Sequence, residues 1–208
     1  MDHVMQFVAE LSEYEPRIWR RFQISSAAGL EGFCSILMDM FHMTGYHLFD
    51  FSIKGAKYTS PDILDDLDDD IVRSTHGVFI RHLFTRKGDW GELWYDFGDS
   101  WYVRVKLEIL NVDDMVSEVE LPRVIKGEGF GIVEDCGGVW GLAEIAERLK
   151  TGQGEDWEEQ KSWLEEICPD VLENGLDFFD VDGINAIIRA RYAATHKKKS
   201  KQKGTSKK

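Results

Sequence analysis

The sequence has only three cysteines, Cys34, Cys136 and Cys168, widely spaced and with no CxxC pair. That argues against a disulfide framework and against a thiolate zinc finger. It has no run of about 18 apolar residues, so no membrane span is expected. Its first residues, Met1-Asp2-His3, lack the basic start and apolar stretch of a secretory signal. Together these absences predict a reducing, cytoplasmic setting. No internal repeat is present. The glycine-rich stretch 127–141 lacks the Walker spacing and its Lys-Ser/Thr ending, and it carries acids that would repel phosphate.

Positive charge is also scarce over most of the chain. The 208 residues carry a net charge of −13. Residues 1–195 hold 18 basic and 38 acidic residues, a net of −20, while the last thirteen hold seven lysines and no acid. An acidic body of this kind repels nucleic acid over most of its surface. The lysines between Lys197 and Lys208 allow a weak, salt-dependent and sequence-independent contact with phosphates. That tail has no apolar residue and is expected to be disordered. Hydrophobic content of 43% with 12% aromatics is that of a folded globule. We therefore expect one domain over 1–195 and a Lys-rich tail over 196–208.

Periodicity supplies the elements. Residues 4–11 and 17–24 predict two antiparallel strands joined by the polar turn 12–16. In the second, Ile18, Phe22 and Ile24 share a face with Arg20. Ser25-Ser26 offers an N-cap for an amphipathic helix over 27–43, with Leu30, Phe33, Leu37 and Phe41 on one stripe. Residues 47–53 alternate and lead through Lys54-Gly55-Ala56-Lys57 to Tyr58. The acidic stretch 60–70 predicts a loop, Val78-Phe79-Ile80 a short strand, and 81–90 a loop. The strongest hairpin is 93–97 turning at Gly98-Asp99-Ser100 into Trp101–Ile109, which alternates over nine residues. Residues 111–139 predict irregular structure. Helices follow from Leu142, over 155–167 with Trp157, Leu164 and Ile167 inward, and over 181–194 with Ile184, Ile188 and Tyr192 on one face. Hairpin-length links between strands predict an α+β fold: a mainly antiparallel sheet packed by one N-terminal helix, with additional C-terminal helices.

Several segments together resemble the plasmid pRiA4b ORF-3-like family. They are Pro16-Arg17-Ile18-Trp19-Arg20-Arg21, His47-Leu48 with Phe51, Tyr95-Asp96-Phe97-Gly98-Asp99-Ser100-Trp101, Gly127-Glu128-Gly129, and Glu134-Asp135-Cys136-Gly137-Gly138 with Trp140-Gly141. The resemblance implies one α+β domain with a largely antiparallel sheet. It implies no assigned activity, only an association with plasmids and mobile elements. Family members often carry a His where this chain has Val103, Cys-Pro-Pro where it has Gly131-Ile132-Val133, and a Cys where it has Val124. Only Cys136 of such a ligand set remains, so neither a metal ligand set nor a cofactor is expected.

The motif residues define the candidate site: His47, Asp96, Asp99, Trp101, Glu134, Asp135, Cys136 and Trp140. Carboxylates of this kind hold hard cations or act as acid–base pairs, but Asp99 in a turn also caps backbone, and Asp96 has Arg20 and Arg21 as possible partners. Cys136 between acids has the wrong surroundings for a thiolate. Trp94 and Trp101 flank the hairpin turn, a placement that suits a shared rim, while core packing is the commoner place for tryptophan and is expected for most of them. The main expectation is a non-enzymatic binding or interaction module for an unknown small molecule or protein, recognised at a rim of hairpin 94–101 and loop 127–141. Two alternatives stand beside it: a nucleic-acid-associated protein using the tail, and a metal-dependent hydrolase or transferase using Asp96, Asp99, Glu134 and Asp135.

Overall fold

The alternating segments assemble into one eight-stranded sheet. In the computed structural model the described residues are 2–61, 72–112 and 120–192. The strands are β1 (Val4–Leu11), β2 (Trp19–Ser25), β3 (Phe49–Ile53), β4 (Ala56–Thr59), β5 (Val72–Ser74), β6 (Trp90–Tyr95), β7 (Trp101–Ile109) and β8 (Arg123–Glu128). Their order is β5-β4-β3-β6-β7-β1-β2-β8. Every neighbouring pair is antiparallel except β4 with β5. The fold is α+β, with α1 (Leu30–Met40) packed on one face of the sheet.

That packing follows from the stripe in the sequence. Phe33 of α1 meets Phe7, Phe22 and Phe51 of the sheet at ring centroid distances of 5.3, 6.0 and 6.0 Å. Phe84 closes the same cluster, 4.9 Å from Phe7. Each buried phenylalanine contributes roughly 1.5–3 kcal/mol. The C-terminal part adds α3 (Gly138–Thr151), α4 (Trp157–Ile167), α5 (Pro169–Asn174) and α6 over 181–192. They bring Leu142, Ile145, Leu164, Val171, Ile184 and Ile188 into the same core.

Several expectations need correction. α1 is shorter than 27–43 and is capped by Gly29. Ser25 and Ser26 instead accept the N–H groups of Ala27 and His3, which holds the turn before the helix. Val78-Phe79-Ile80 is not a strand. It makes one isolated bridge, Gly29 to Phe79, before the short helix α2 (Ile80–Leu83). The supposedly irregular segment 111–139 contains β8, an edge strand paired with β2. Ile167 does not point inward and is 44% exposed. The loop expected over 60–70 falls from residue 62 onward outside the described residues, as do 71, 113–119 and the tail.

Arg20 explains how β8 and the loop after it are held. Its side chain is fully buried on the inner face of β2. It donates to the carbonyls of Met40, Trp19, Glu128 and Phe130. The rings of Phe41 and Phe179 flank its guanidinium at 5.1 and 4.3 Å. Burial pulls its pKa down to about 9, so it still carries its charge at neutral pH. Arg20 therefore does not pair with Asp96, and Arg21 pairs with Glu108 at 2.6 Å.

Candidate functional site

Three loops meet beyond the ends of β3, β6 and β8. Residues 42–48 follow α1, turn 96–100 follows β6, and loop 130–137 follows β8. Backbone bonds join them. Asp96 N–H donates to Leu48 O at 3.0 Å, and Ile132 N–H donates to Phe41 O at 3.0 Å. Tyr95 is the hub. Its hydroxyl donates to Glu134 Oε1 at 2.8 Å and accepts the Gly45 N–H at 3.1 Å. Thr44 adds two more bonds to Glu134 Oε1, from its N–H at 2.6 Å and its hydroxyl at 2.9 Å.

This scaffold gathers four of the eight candidate residues, three carboxylates around the imidazole of His47. His47 Nδ1 lies 3.7 Å from Asp96 Oδ2. His47 Nε2 lies 3.6 Å from Glu134 Oε2 and 3.5 Å from Asp135 Oδ1. These separations are longer than hydrogen bonds. Glu134 Oε2 is buried with no hydrogen-bond partner. Asp96 and Asp135 both sit at positive φ, 53° and 57°. Asp tolerates that region better than most residues, yet the conformation is still sparsely populated. Asp96 is steadied by its own turn, where Oδ1 accepts the Gly98 N–H at 3.0 Å.

The other four candidates go elsewhere. Asp99 accepts the Gly137 N–H at 3.1 Å, tying the hairpin turn to the start of α3. The glycines there have a steric reason. A Cβ on Gly138 would lie 2.3 Å from Asp99 O, and one on Gly141 1.6 Å from Cys136 O. Trp101 is fully buried in the core, not on a rim. The register pairs Tyr95 with Trp101 and Trp94 with Tyr102, so Trp94 and Trp101 face opposite sides of the sheet. Cys136 is half-buried, and burial together with Asp99 pushes its thiol up to about 12. Trp140 is 85% exposed.

His47, Glu134 and Asp135 open into a cleft of about 500 Å³. Its walls include Thr44, Tyr46, Phe130, Ile132, Trp163 and Ile167. Trp163 and Ile167 come from α4, and sequence periodicity carries no signal for that tertiary neighbour. Among the lining residues the ionisable groups are three carboxylates (Glu134, Asp135, Asp170), two imidazoles (His42, His47) and the Tyr46 phenol and Cys168 thiol, with no lysine or arginine. His42 stacks on Phe130 at 4.0 Å, and burial with nearby Arg20 lowers its pKa to about 4. It is neutral at physiological pH, so it adds no positive charge to the cleft.

The fold and these motifs can be set beside known proteins. The family model described as plasmid pRiA4b ORF-3-like protein matches residues 3–185. The chain belongs to this family. It is 24% identical over 160 residues to the uncharacterized protein y4hQ of Sinorhizobium fredii (strain NBRC 101917 / NGR234), covering 77% of this chain and 80% of that protein. Its fold matches the crystal structure of a protein of unknown function, MM3350, from Methanosarcina mazei Go1. That match has a TM-score of 0.72 and 26% identity, covering 88% of this chain and 98% of the other. The pRiA4b ORF-3-like match takes in β1 through α5 and all three loops of the cleft. None of these names states an activity. Among the described residues no helix is long and apolar enough to cross a membrane.

Proposed function

We propose that this pRiA4b ORF-3-like protein is a non-enzymatic binding module whose recognition site is the cleft lined by residues of 42–47, 130–135 and 163–170, with turn 96–100 behind His47. Its ligand carries positive charge beside an apolar group. The observation that carries this reading is the meeting of His47, Glu134 and Asp135 in the wall of a cleft with apolar residues around them, with buried Asp96 beside His47 Nδ1. Apolar walls with a few convergent polar groups are the usual make-up of a ligand site. A lining with carboxylates and no lysine or arginine selects a cationic partner and repels phosphate. The burial that raises Cys136 to about 12 and Cys168 to about 11 removes both as thiolate nucleophiles. The rim inferred from the sequence is thereby narrowed to its inner edge and extended to 42–48 and α4. All three cysteines are unpaired, which suits a cytoplasmic setting.

The test is a tryptophan-fluorescence titration of the full chain with short peptides. Each peptide pairs a lysine or arginine with a leucine or phenylalanine, and a matched set carries glutamate instead of the basic residue. Saturable binding of the basic set alone is expected. Glu134→Gln with Asp135→Asn should weaken it about tenfold, or about 1.4 kcal/mol. A flat response to the basic set, or a preference for the acidic set, overturns the reading.

A further inference from the structure

The acidic end of the cleft contains more negative charge than its surroundings answer. Among the described residues, the ion pairs of Asp96, Glu134 and Asp135 all run to the single imidazole of His47. Carboxylates this close to one another repel unless a cation sits among them. The fold nevertheless keeps them together, with Asp96 and Asp135 at positive φ and Glu134 clamped through Oε1 by Thr44 and Tyr95. That clamp leaves Oε2 turned to the imidazole, buried and without a hydrogen bond.

The spacing is informative. Imidazole-to-carboxylate separations of 3.5, 3.6 and 3.7 Å are too long for hydrogen bonds. The two measured from Nε2, to Asp135 and Glu134, are close to the roughly 3.3–3.6 Å that separates ligand atoms lying about 2.0–2.2 Å from a tetrahedral dication, and the one to Asp96 is measured from the other ring nitrogen, Nδ1. His47, Asp96 and Asp135 each offer one ligand atom, and the three atoms lie within 4.8 Å of one another.

We propose that His47, Asp96 and Asp135 form a divalent transition-metal site, with Glu134 Oε2 placed beside it to complete the shell or to accept a hydrogen bond from a metal-bound water. This rests on the reading of the cleft as the recognition site and names the cation it holds. An imidazole nitrogen with carboxylate oxygens suits zinc, manganese or iron, whereas magnesium and calcium favour all-oxygen shells. The cleft beside these residues is walled by Tyr46, Trp163 and Ile167. The ligands come from positions 47, 96 and 135, too far apart in sequence for a short ligand-spacing motif.

The test is calorimetric titration of the chelator-stripped full chain with zinc, manganese and magnesium chlorides. One equivalent of zinc should bind, at least about 100-fold more tightly than magnesium. His47→Ala and Asp135→Asn should each weaken zinc binding by about tenfold or more. Asp135 has a side chain that is 73% exposed, so its variant keeps the test valid if His47→Ala does not fold. Zinc-edge X-ray absorption should show one imidazole with oxygen neighbours. No saturable zinc binding, affinity unchanged in both variants, or a sulfur neighbour from Cys136 overturns the proposal. Basic-peptide binding by a chain that takes up no metal overturns the metal site and leaves the recognition reading standing. Loss of both removes both.

Discussion

Replacing Arg20 with methionine tests the physical basis of the site loops. The guanidinium donates to four backbone carbonyls, of Trp19, Met40, Glu128 and Phe130, with no carboxylate partner among the described residues. Hydrogen bonds to a charged group are worth about 1.5–3 kcal/mol each, so simple addition gives about 6–12 kcal/mol. Addition overstates the loss, because methionine also relieves the desolvation that lowers the Arg20 pKa to about 9. Leaving buried carbonyls without their donor costs about 1–3 kcal/mol for each one that water does not reach, and a net loss of about 3–5 kcal/mol is expected for Arg20→Met. Urea unfolding should show the midpoint falling with an unchanged slope. Arg20→Lys should recover less than half of the loss, because an ammonium cannot span four carbonyls as a planar fork does. A loss below about 1 kcal/mol, or full recovery by lysine, would refute the assignment of Arg20 as the anchor of β8 and loop 130–137.

Three further outcomes are expected. Tyr95→Phe should cost about 1–3 kcal/mol, since it leaves the Gly45 N–H without this acceptor and takes one of three donors from Glu134 Oε1, and it should also weaken cleft binding; a stability-neutral variant with intact binding contradicts the hub role. Cys136 should alkylate about a thousandfold more slowly at neutral pH than an unperturbed thiol, because burial and Asp99 raise it to about 12; mass spectrometry after iodoacetamide treatment checks this, and rapid labelling of the folded chain contradicts it. Deleting residues 196–208 should remove any weak duplex DNA binding, whose log–log salt slope is bounded near about −6 by seven lysines; binding that survives truncation places the contact on the acidic body instead.

The parts of the fold legible in the sequence are those with strong local periodicity. Trp101–Ile109 alternates strictly and is β7, and Leu142, Ile145 and Leu149 share a helical stripe in α3. β8 was not legible. Its six residues include Lys126 and Gly127, it lies at the sheet edge, and its pairing with β2 is organised by a buried arginine distant in sequence. The same distinction runs through the site. His47, Asp96, Glu134 and Asp135 stood out as motif residues, but nothing local showed that they share one imidazole. For Trp101 the sequence left rim and core open, and the strand register decides it, beside Tyr95 on the inner face. Arg20 shared a face with Ile18 and Phe22 in the sequence pattern, and its burial among carbonyls rather than beside Asp96 emerges only in three dimensions.

The central claim is that the cleft lined by 42–47, 130–135 and 163–170 is where this protein meets its ligand. Amide NMR of the full chain during titration with the basic–apolar peptides tests it most directly. The account predicts concentration-dependent shifts at Thr44–Leu48, Asp96–Ser100, Phe130–Asp135 and the Trp163–Ile167 face of α4, with the strands far from the cleft unmoved. Shifts confined to the outer sheet face around Trp90 and Arg104, with those loops silent, would contradict it.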